Sequence, residues 1–315
     1  MDAPLPRRLF CCLAVLAAAS AVSLPGPGRA QSPAKLLYTA ETGGADAYAI
    51  FSMNPDGTGQ ARVTKENLIA FDPALSKDGT RLAFAAAAAA GERKSEIYVA
   101  AADGGGARAI TTLGQIALCP SWAPDGKRLA FCTVELQDGG EPRQFRAYAC
   151  DADGGNLAQL GGDGVAMPDW SPDGRQILVT MASQEGPRGL AVIDAGGGAP
   201  RPVITERSAL GAWSPDGKRI AFVMAREEGS PQLYVAGADG GGQRQLTSGF
   251  DLAPRWSPDG KQIYYTHLPP GEGPDPKKME IHAIAADGSG DRELTTNQSV
   301  DCTAAAFILV LMHRR

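Results

Sequence analysis

Short apolar runs recur along the chain, and each ends in a cluster of glycine, proline and aspartate. The segment 219–223 (Arg-Ile-Ala-Phe-Val) is one such run, and the segment 233–236 (Leu-Tyr-Val-Ala) is another. Brief apolar runs between Gly and Pro turns are typical of β-strands, and none of these runs supports a helix. The pattern therefore predicts many short strands joined by tight turns.

A five-residue signature, Trp-x-Pro-Asp-Gly, marks one phase of an internal repeat. It begins at each of the four tryptophans, and a degenerate copy precedes them, so that the copies start at Leu75, Trp122, Trp170, Trp213 and Trp256. The aspartates of successive copies lie 43 to 48 residues apart. Pro and Asp favour a tight turn and Gly accepts a positive φ, so each copy predicts a turn between two strands.

Each repeat predicts four strands, named a, b, c and d in chain order. Strand a ends at the tryptophan, the Pro-Asp-Gly turn leads into strand b, and a second Asp-Gly turn joins strand c to strand d. Strand b is predicted six times, at 36–39, 81–84, 128–131, 176–179, 219–222 and 262–265. Six four-stranded units in series predict an all-β fold, a six-bladed β-propeller.

The two ends of the chain are predicted to complete the ring together. The first repeat opens at strand b and lacks a strand a, while Asp301 and an apolar segment follow the last strand d. We expect residues 301–310 to pair with residues 36–39 and to supply the missing strand, because closure removes free sheet edges. The apolar run 304–312 is too short to span a bilayer.

The first thirty residues have the pattern of a secretory leader. Two arginines precede the apolar segment 9–22, and small residues follow near Ala30. We expect cleavage between Ala30 and Gln31, with a cut after Ser23 as the alternative. Residues 1–30 are then a signal peptide, residues 31–315 form the propeller, and the protein is expected in the periplasm or outside the cell.

Composition and charge narrow the class of protein further. The 315 residues include 39 Gly and 23 Pro, which is too many for a helical bundle, and 43% apolar residues, which is too many for a disordered chain. Lys and Arg number 30 against 35 Asp and Glu, a formal net charge of −5 with no block of basic residues. This balance of charge argues against a nucleic-acid-binding protein. Separately, we expect the protein to be a monomer.

The repeat unit resembles that of the TolB family of propellers. Residues 254–260 (Pro-Arg-Trp-Ser-Pro-Asp-Gly) follow the family pattern, and the resemblance covers residues 35 to about 310. It implies a propeller that binds protein partners at the cell envelope and catalyses no reaction. TolB has a further α/β domain, whereas here only residues 32–34 separate the predicted leader from the propeller, so a role in the Tol–Pal system is not carried over.

The sequence contains no recognisable catalytic or metal-binding constellation. His267, His282 and His313 have no metal-ligand spacing, no Gly-x-Ser-x-Gly elbow occurs, and no cofactor is expected. The repeated aspartates are expected to serve the turns, and the tryptophans to pack between blades. We predict a non-enzymatic protein-binding module. A hydrolase or lyase with an active site in the channel, and a binder of a small ligand or cation, are the alternatives.

Strand direction sorts the connections onto two faces of the ring. The a–b and c–d turns are short and nearly identical and share what we call the turn face. The b–c and d–a loops are long and varied and share the loop face, where a protein partner is expected. At the channel mouth, Asp72, Asp251 and Asp301 are expected to meet, with Arg255 one turn further in, as a candidate site for a cation or small polar ligand.

Two of the cysteines that follow the leader flank a Pro-Asp-Gly turn. Cys119 precedes this turn on strand a, and Cys132 follows it on strand b. A two-residue turn would place them opposite one another, whereas a three-residue turn would leave them diagonal. Export permits a disulfide, and the sequence leaves that bond open.

Overall fold

The computed structural model describes residues 20–22, 35–42, 48–65, 68–88, 94–137, 142–183, 186–225, 230–268 and 279–295. Within these ranges the chain forms six antiparallel sheets of four strands each. The first strands of the six sheets contact one another in a ring, with β1 touching both β5 and β21. The predicted all-β, six-bladed propeller is confirmed. None of the described residues forms a helix that could cross a membrane.

The strands follow the chain blade by blade. Blades 1 to 3 contain β1 (Ser20–Val22), β2 (Lys35–Glu41), β3 (Tyr48–Met53) and β4 (Ala61–Arg62); β5 (Ile69–Leu75), β6 (Arg81–Ala87), β7 (Glu96–Ala101) and β8 (Arg108–Ala109); and β9 (Ile116–Trp122), β10 (Arg128–Leu136), β11 (Pro142–Asp151) and β12 (Ala158–Asp163). Blades 4 to 6 contain β13 (Val165–Trp170), β14 (Gln176–Ser183), β15 (Gly186–Asp194) and β16 (Arg201–Ile204); β17 (Ser208–Trp213), β18 (Arg219–Met224), β19 (Gln232–Gly237) and β20 (Arg244–Gln245); and β21 (Phe250–Trp256), β22 (Gln262–Leu268), β23 (Glu280–Ala285) and β24 (Arg292–Glu293).

Strand b lies where the repeat predicts it in every blade, as β2, β6, β10, β14, β18 and β22. Successive side chains along each strand point to opposite faces of the blade, and each face packs against a neighbouring blade. The central pair of strands carries an aromatic pair in several blades; in blade 2, for example, Phe84 stacks on Tyr98 with ring centres 5.5 Å apart. Such cross-strand pairs stabilise the two middle strands of the blade.

The innermost strand of blade 1 differs from the prediction. We expected residues 301–310 to pair with residues 36–39, but Ser20–Val22 lies on that edge of β2, with Ser20 opposite Leu37 and Val22 opposite Lys35. Residues 296–315 lie outside the described residues. The sequence analysis assigned residues 1–30 to a leader and so did not consider them for the ring.

Adjacent blades are joined by an arginine at the start of strand b and the tryptophan of the next blade. The guanidinium groups of Arg81, Arg128 and Arg219 lie 4.5–4.7 Å from the ring centres of the tryptophans of the following blades. Arg219 also donates a hydrogen bond to the Gly260 carbonyl oxygen in the next turn, at 3.1 Å. The prediction that the tryptophans pack between blades is thereby confirmed.

The seam between blades 6 and 1 closes the ring. Leu36 and Tyr38 of blade 1 share an apolar cluster with Tyr264 and Ile281 of blade 6. Across the same seam, the Arg292 side chain donates a hydrogen bond to the Pro55 carbonyl oxygen at 3.0 Å. The closing contacts are therefore of the same kind as those between other neighbours, an apolar layer with polar contacts at its rim.

We predict that Gly57→Ala destabilises the ring more than Gly106→Ala. Gly57 has a φ of +87°, and a Cβ there would lie 2.3 Å from the Leu294 carbonyl oxygen across the closing seam. Gly106 also has a positive φ, +66°, but no described atom lies within 4 Å of its Cβ position. G106A should therefore lose only the roughly 1–2 kcal/mol of a left-handed residue. Urea unfolding midpoints compare the variants, and equal losses would contradict a tightly packed seam.

Candidate functional site

The innermost strands carry the same irregularity at the same position in five blades. Three residues before the tryptophan of each repeat, or before Leu75 in blade 2, a residue other than glycine has a φ between +51° and +56°. These residues are Asp72, Cys119, Met167, Leu210 and Ala253. The pairing register between strands a and b shifts at each of these positions. Each is therefore a β-bulge, which bends the strand and redirects the side chains that line the centre of the ring.

Asp72 is the most deeply buried acidic side chain near the centre. It is 3% exposed, and its Oδ2 accepts a hydrogen bond from the Cys119 backbone N–H at 2.9 Å. Its Oδ1 has no hydrogen-bond partner among the described residues. Burial raises the pKa of Asp72 from 3.8 to about 7, and the positive charge of Arg255 opposes that rise. With a pKa of about 7, the carboxyl group of Asp72 changes its protonation state near neutral pH.

Asp169 is a second acidic side chain at the centre, and the sequence analysis missed it. Its Oδ2 accepts a hydrogen bond from the Trp213 backbone N–H at 2.8 Å, which links blades 4 and 5. Burial raises the pKa of Asp169 above its usual value, and the charge of Arg255 again opposes the rise. Asp169 and Arg255 each stand directly before the tryptophan of their repeat, so aligning the repeats on Trp would have found it.

Arg255 is the positive charge that acts on both carboxyl groups. It lies on blade 6, and its charge acts on Asp72 of blade 2, Cys119 of blade 3 and Asp169 of blade 4. Its Nη1 donates a hydrogen bond to the Pro254 carbonyl oxygen at 2.9 Å. The charge of Arg255 therefore acts on Asp72 and on Asp169, and a meeting of these residues at the channel mouth stays a prediction. We call Asp72, Asp169 and Arg255 the central cluster.

The other two predicted members of the channel site are Asp251, on the same innermost strand as Arg255, and Asp301. Asp251 is fully buried, and its Oδ1 lies 2.7 Å from His267 Nδ1 at the side of blade 6. Asp251 stands five residues before Trp256, ahead of the bulge, whereas Asp72 stands within the bulge of its strand. The two aspartates are thus not equivalent positions. Asp301 lies outside the described residues.

Cys119 and Cys132 are neighbours in the structure. The structure holds them as two unbonded thiols, and Cys132 contributes to the raised pKa of the Cys119 thiol. Cys132 pairs with Leu118 across the bulge, so Cys119 stands one position off the opposing residue. Burial raises the pKa of the Cys119 thiol, which disfavours the reactive thiolate. A disulfide between them stays a prediction.

The aspartates of the turn face are used within the turns, as expected. In four blades the Asp Oδ1 accepts a hydrogen bond from the preceding serine at 2.6–2.7 Å, in the pairs Ser76–Asp78, Ser171–Asp173, Ser214–Asp216 and Ser257–Asp259. The serine bond lowers the pKa of each of these aspartates. Each serine Oγ also accepts a backbone N–H of the following strand in the same blade. These carboxylates therefore hold the turns.

The central cluster combines two carboxyl groups of raised pKa with one guanidinium. Such a group can bind a small polar or cationic molecule, and perturbed pKa values are also common at catalytic sites. No cluster of three or more His, Cys, Asp or Glu side chains suited to a metal ion occurs among the described residues.

Six four-stranded blades around a polar centre define the class of this protein as a six-bladed β-propeller. The sequence matches the TolB beta propeller domain over residues 29–199 and 134–307, two overlapping matches that together span most of the chain. The chain therefore belongs to the TolB beta-propeller family. No curated protein sequence gives a significant match.

Several solved structures share the fold at low sequence identity. TolB from Acinetobacter baumannii is 21% identical with a TM-score of 0.69, and the match covers 84% of this chain but only 64% of that one. A chain of a nidogen/laminin complex is 14% identical with a TM-score of 0.65, covering 84% of this chain and 95% of that one. An oligogalacturonate lyase in complex with manganese is 14% identical with a TM-score of 0.57, covering 82% and 73%. Likeness at this level of identity shows the fold alone.

We predict that Asp72→Asn stabilises the protein increasingly as the pH rises from 4 to 8. Because the folded-state pKa of Asp72 is raised from 3.8 to about 7, the wild-type protein loses stability as the pH rises through that window. Asparagine tolerates the positive φ and can still accept the Cys119 N–H, but it does not ionise. The advantage of D72N should reach up to about 4 kcal/mol at pH 8 and vanish near pH 4. Urea unfolding at both pH values measures it, and a pH-independent difference would refute the burial argument.

Proposed function

We propose that the protein is an exported, non-enzymatic binding module that holds a protein partner on its loop face. The observation that carries this proposal is the unequal use of the two faces. The turn face repeats the same internal Ser–Asp hydrogen bonds in blade after blade. Along the sequence, the charged residues of the b–c and d–a loops differ from one blade to the next, as is usual for binding residues on a rigid scaffold.

Blade 3 gives the loop face its most prominent charged surface. Its strands β10 and β11 have nine and ten residues and form the longest b–c hairpin among the described strands. Near the end of this hairpin, Arg143 Nη1 lies 3.1 Å from Glu135 Oε1, and Arg146 Nε lies 2.8 Å from Asp163 Oδ1. The Arg143 side chain is 62% exposed. Exposed ion pairs of this kind add little to stability, so these charges are available to a partner.

The likeness to TolB and to a chain of the nidogen/laminin complex agrees with a protein-binding role, since the latter is part of an assembly of two proteins. The leader-like pattern of residues 1–30 supports export, with the periplasm or the exterior as the location. Strand β1 (Ser20–Val22) falls inside that segment. N-terminal sequencing of the processed protein therefore decides both the cleavage site and whether β1 belongs to the mature ring.

A ligand-binding or catalytic centre is the second candidate function, and the central cluster is the observation that favours it. Asp72 and Asp169 both have a raised pKa and both feel the charge of Arg255. The likeness to an oligogalacturonate lyase is consistent with such a use of the fold. The ligand in this case would be a cation or a small polar molecule, and changes in the central cluster would abolish function while changes on the loop face would not.

We predict that Arg143→Glu weakens capture of the partner several-fold while Arg175→Glu does not. The two arginines are a matched pair: Arg143 lies on the loop face beside Glu135, and Arg175 lies on the turn face 3.9 Å from Asp173 with 85% of its side chain exposed. A reversed charge at the rim of an interface acts mainly by breaking charge complementarity.

The measurement is a pull-down from an envelope extract with wild-type and variant protein, followed by mass spectrometry. Unchanged unfolding midpoints confirm that both variants are folded. A protein whose capture R143E lowers and R175E preserves supports the loop face as the binding surface. Loss of capture in R175E alone would place the partner on the turn face. Capture that depends only on the central cluster would favour the second candidate.

A further inference from the structure

A groove of about 480 Å³ runs between the outer part of blade 5 and blade 6, away from the central cluster. Thr247 and Ser248 line it from blade 5, and Tyr265, His267 and Asp291 line it from blade 6. Two of the three histidines of the chain, His267 and His282, stand at this side of blade 6. The proposed binding function leaves this groove unused.

His267 is oriented by a buried carboxylate. Its Nδ1 lies 2.7 Å from Asp251 Oδ1, and Asp251 is 0% exposed. The Thr247 hydroxyl donates a hydrogen bond to the second oxygen of Asp251, and the Asp251 backbone N–H donates to the Pro231 carbonyl oxygen. Because the carboxylate is fixed from several sides, it fixes the ring, and Nε2 is left as the nitrogen available to a ligand.

His282 is held in the same way by a second carboxylate. Its Nδ1 lies 3.2 Å from Asp291 Oδ1, and the Tyr265 hydroxyl donates a hydrogen bond to the same oxygen at 2.8 Å. His282 pairs with Tyr265 across β22 and β23, so that it is the diagonal neighbour of His267 on this pair of strands. The two imidazole ring centres are 4.7 Å apart, and their planes differ by 49°.

We infer that His267 and His282 form a two-histidine site for a divalent first-row transition metal ion. Metal-binding histidines almost always donate the second ring nitrogen to a carboxylate or carbonyl group, and here both rings contact a carboxylate through Nδ1. When an imidazole nitrogen binds an ion at about 2.1 Å, the centre of its ring lies roughly 3.3 Å from that ion. Two rings whose bonds to the ion meet at a right angle therefore have centres about 4.7 Å apart. The observed separation matches that arrangement.

The type of ligand selects the type of ion. Imidazole nitrogens suit Zn²⁺, Cu²⁺ and Ni²⁺, whereas Ca²⁺ and Mg²⁺ prefer oxygen ligands. Because the protein supplies two nitrogen ligands here, the remaining coordination positions fall to water or to a molecule in the groove. A right angle between ligands is typical of square-planar or octahedral ions, and affinity for such sites is greatest for Cu²⁺. Cu²⁺ alone is therefore the sharpest probe.

The test is a calorimetric titration of the untagged full-length protein with Cu²⁺, combined with electron paramagnetic resonance of the copper. We expect one ion per chain with nitrogen ligands in the wild-type protein. His267→Gln and His282→Gln should each weaken binding at least about 10-fold and change the copper spectrum, because each removes one ligand nitrogen. His313→Gln is the matched control and should bind as the wild type does.

Asp291→Asn provides a test that keeps both rings in place. The Asp291 side chain is 46% exposed, so the change is not expected to disturb the fold, and loss of the carboxylate should weaken the ion by about 10- to 100-fold. Unfolding midpoints without metal exclude misfolding of any variant. Absence of stoichiometric binding in the wild type, unchanged binding in H282Q and D291N, or loss of binding in H313Q would each overturn the inference.

Discussion

The arginine of one blade rests on the tryptophan of the next, and the rest of the ring is arranged around that contact. The guanidinium groups of Arg81, Arg128 and Arg219 lie 4.5–4.7 Å from the tryptophan ring centres. Each contact contributes on the order of 1 kcal/mol by itself. Apolar clusters between neighbouring blades add to these arginine–tryptophan contacts, and one such cluster between blades 6 and 1 closes the ring. Every blade is therefore confined by two neighbours.

This repeated contact explains why the two faces of the ring differ. The turn that follows each tryptophan must keep its shape for the next blade to fit, so its serine and aspartate are bonded to one another and to the backbone. The loop face has contacts between blades as well, such as the Asp251 N–H to the Pro231 carbonyl oxygen, but it lacks the repeated Ser–Asp turn. The central cluster is an intermediate case, because Asp72 and Asp169 accept backbone N–H groups of the next blade and yet keep a raised pKa.

The extent to which the sequence predicts this structure follows from the same repeat. The four Trp-x-Pro-Asp-Gly copies and the degenerate copy at Leu75 locate strand b and the turns in blades 2 to 6, because a turn at a fixed phase sets the register of the strands beside it. The bulge in strand a is not visible in that pattern, and it separates Asp251 from the position of Asp72. The Asp251–His267 and His282–Asp291 contacts join residues 16 and 9 positions apart through the pairing of strands, so spacing alone could not reveal them. Ser20–Val22 was read as part of a leader, since its composition suits both roles.

The central claim is that mutual packing makes the six blades one cooperative unit, and hydrogen exchange in increasing urea tests it most directly. In a closed ring, a blade that unfolds removes both of its neighbours' contacts, unlike an open array whose repeats unfold piecewise. The account predicts that the amides of β6 in blade 2 and β18 in blade 5, on opposite sides of the ring, lose protection at the same urea concentration. Loss of protection at clearly separate concentrations, one blade after another, would contradict it.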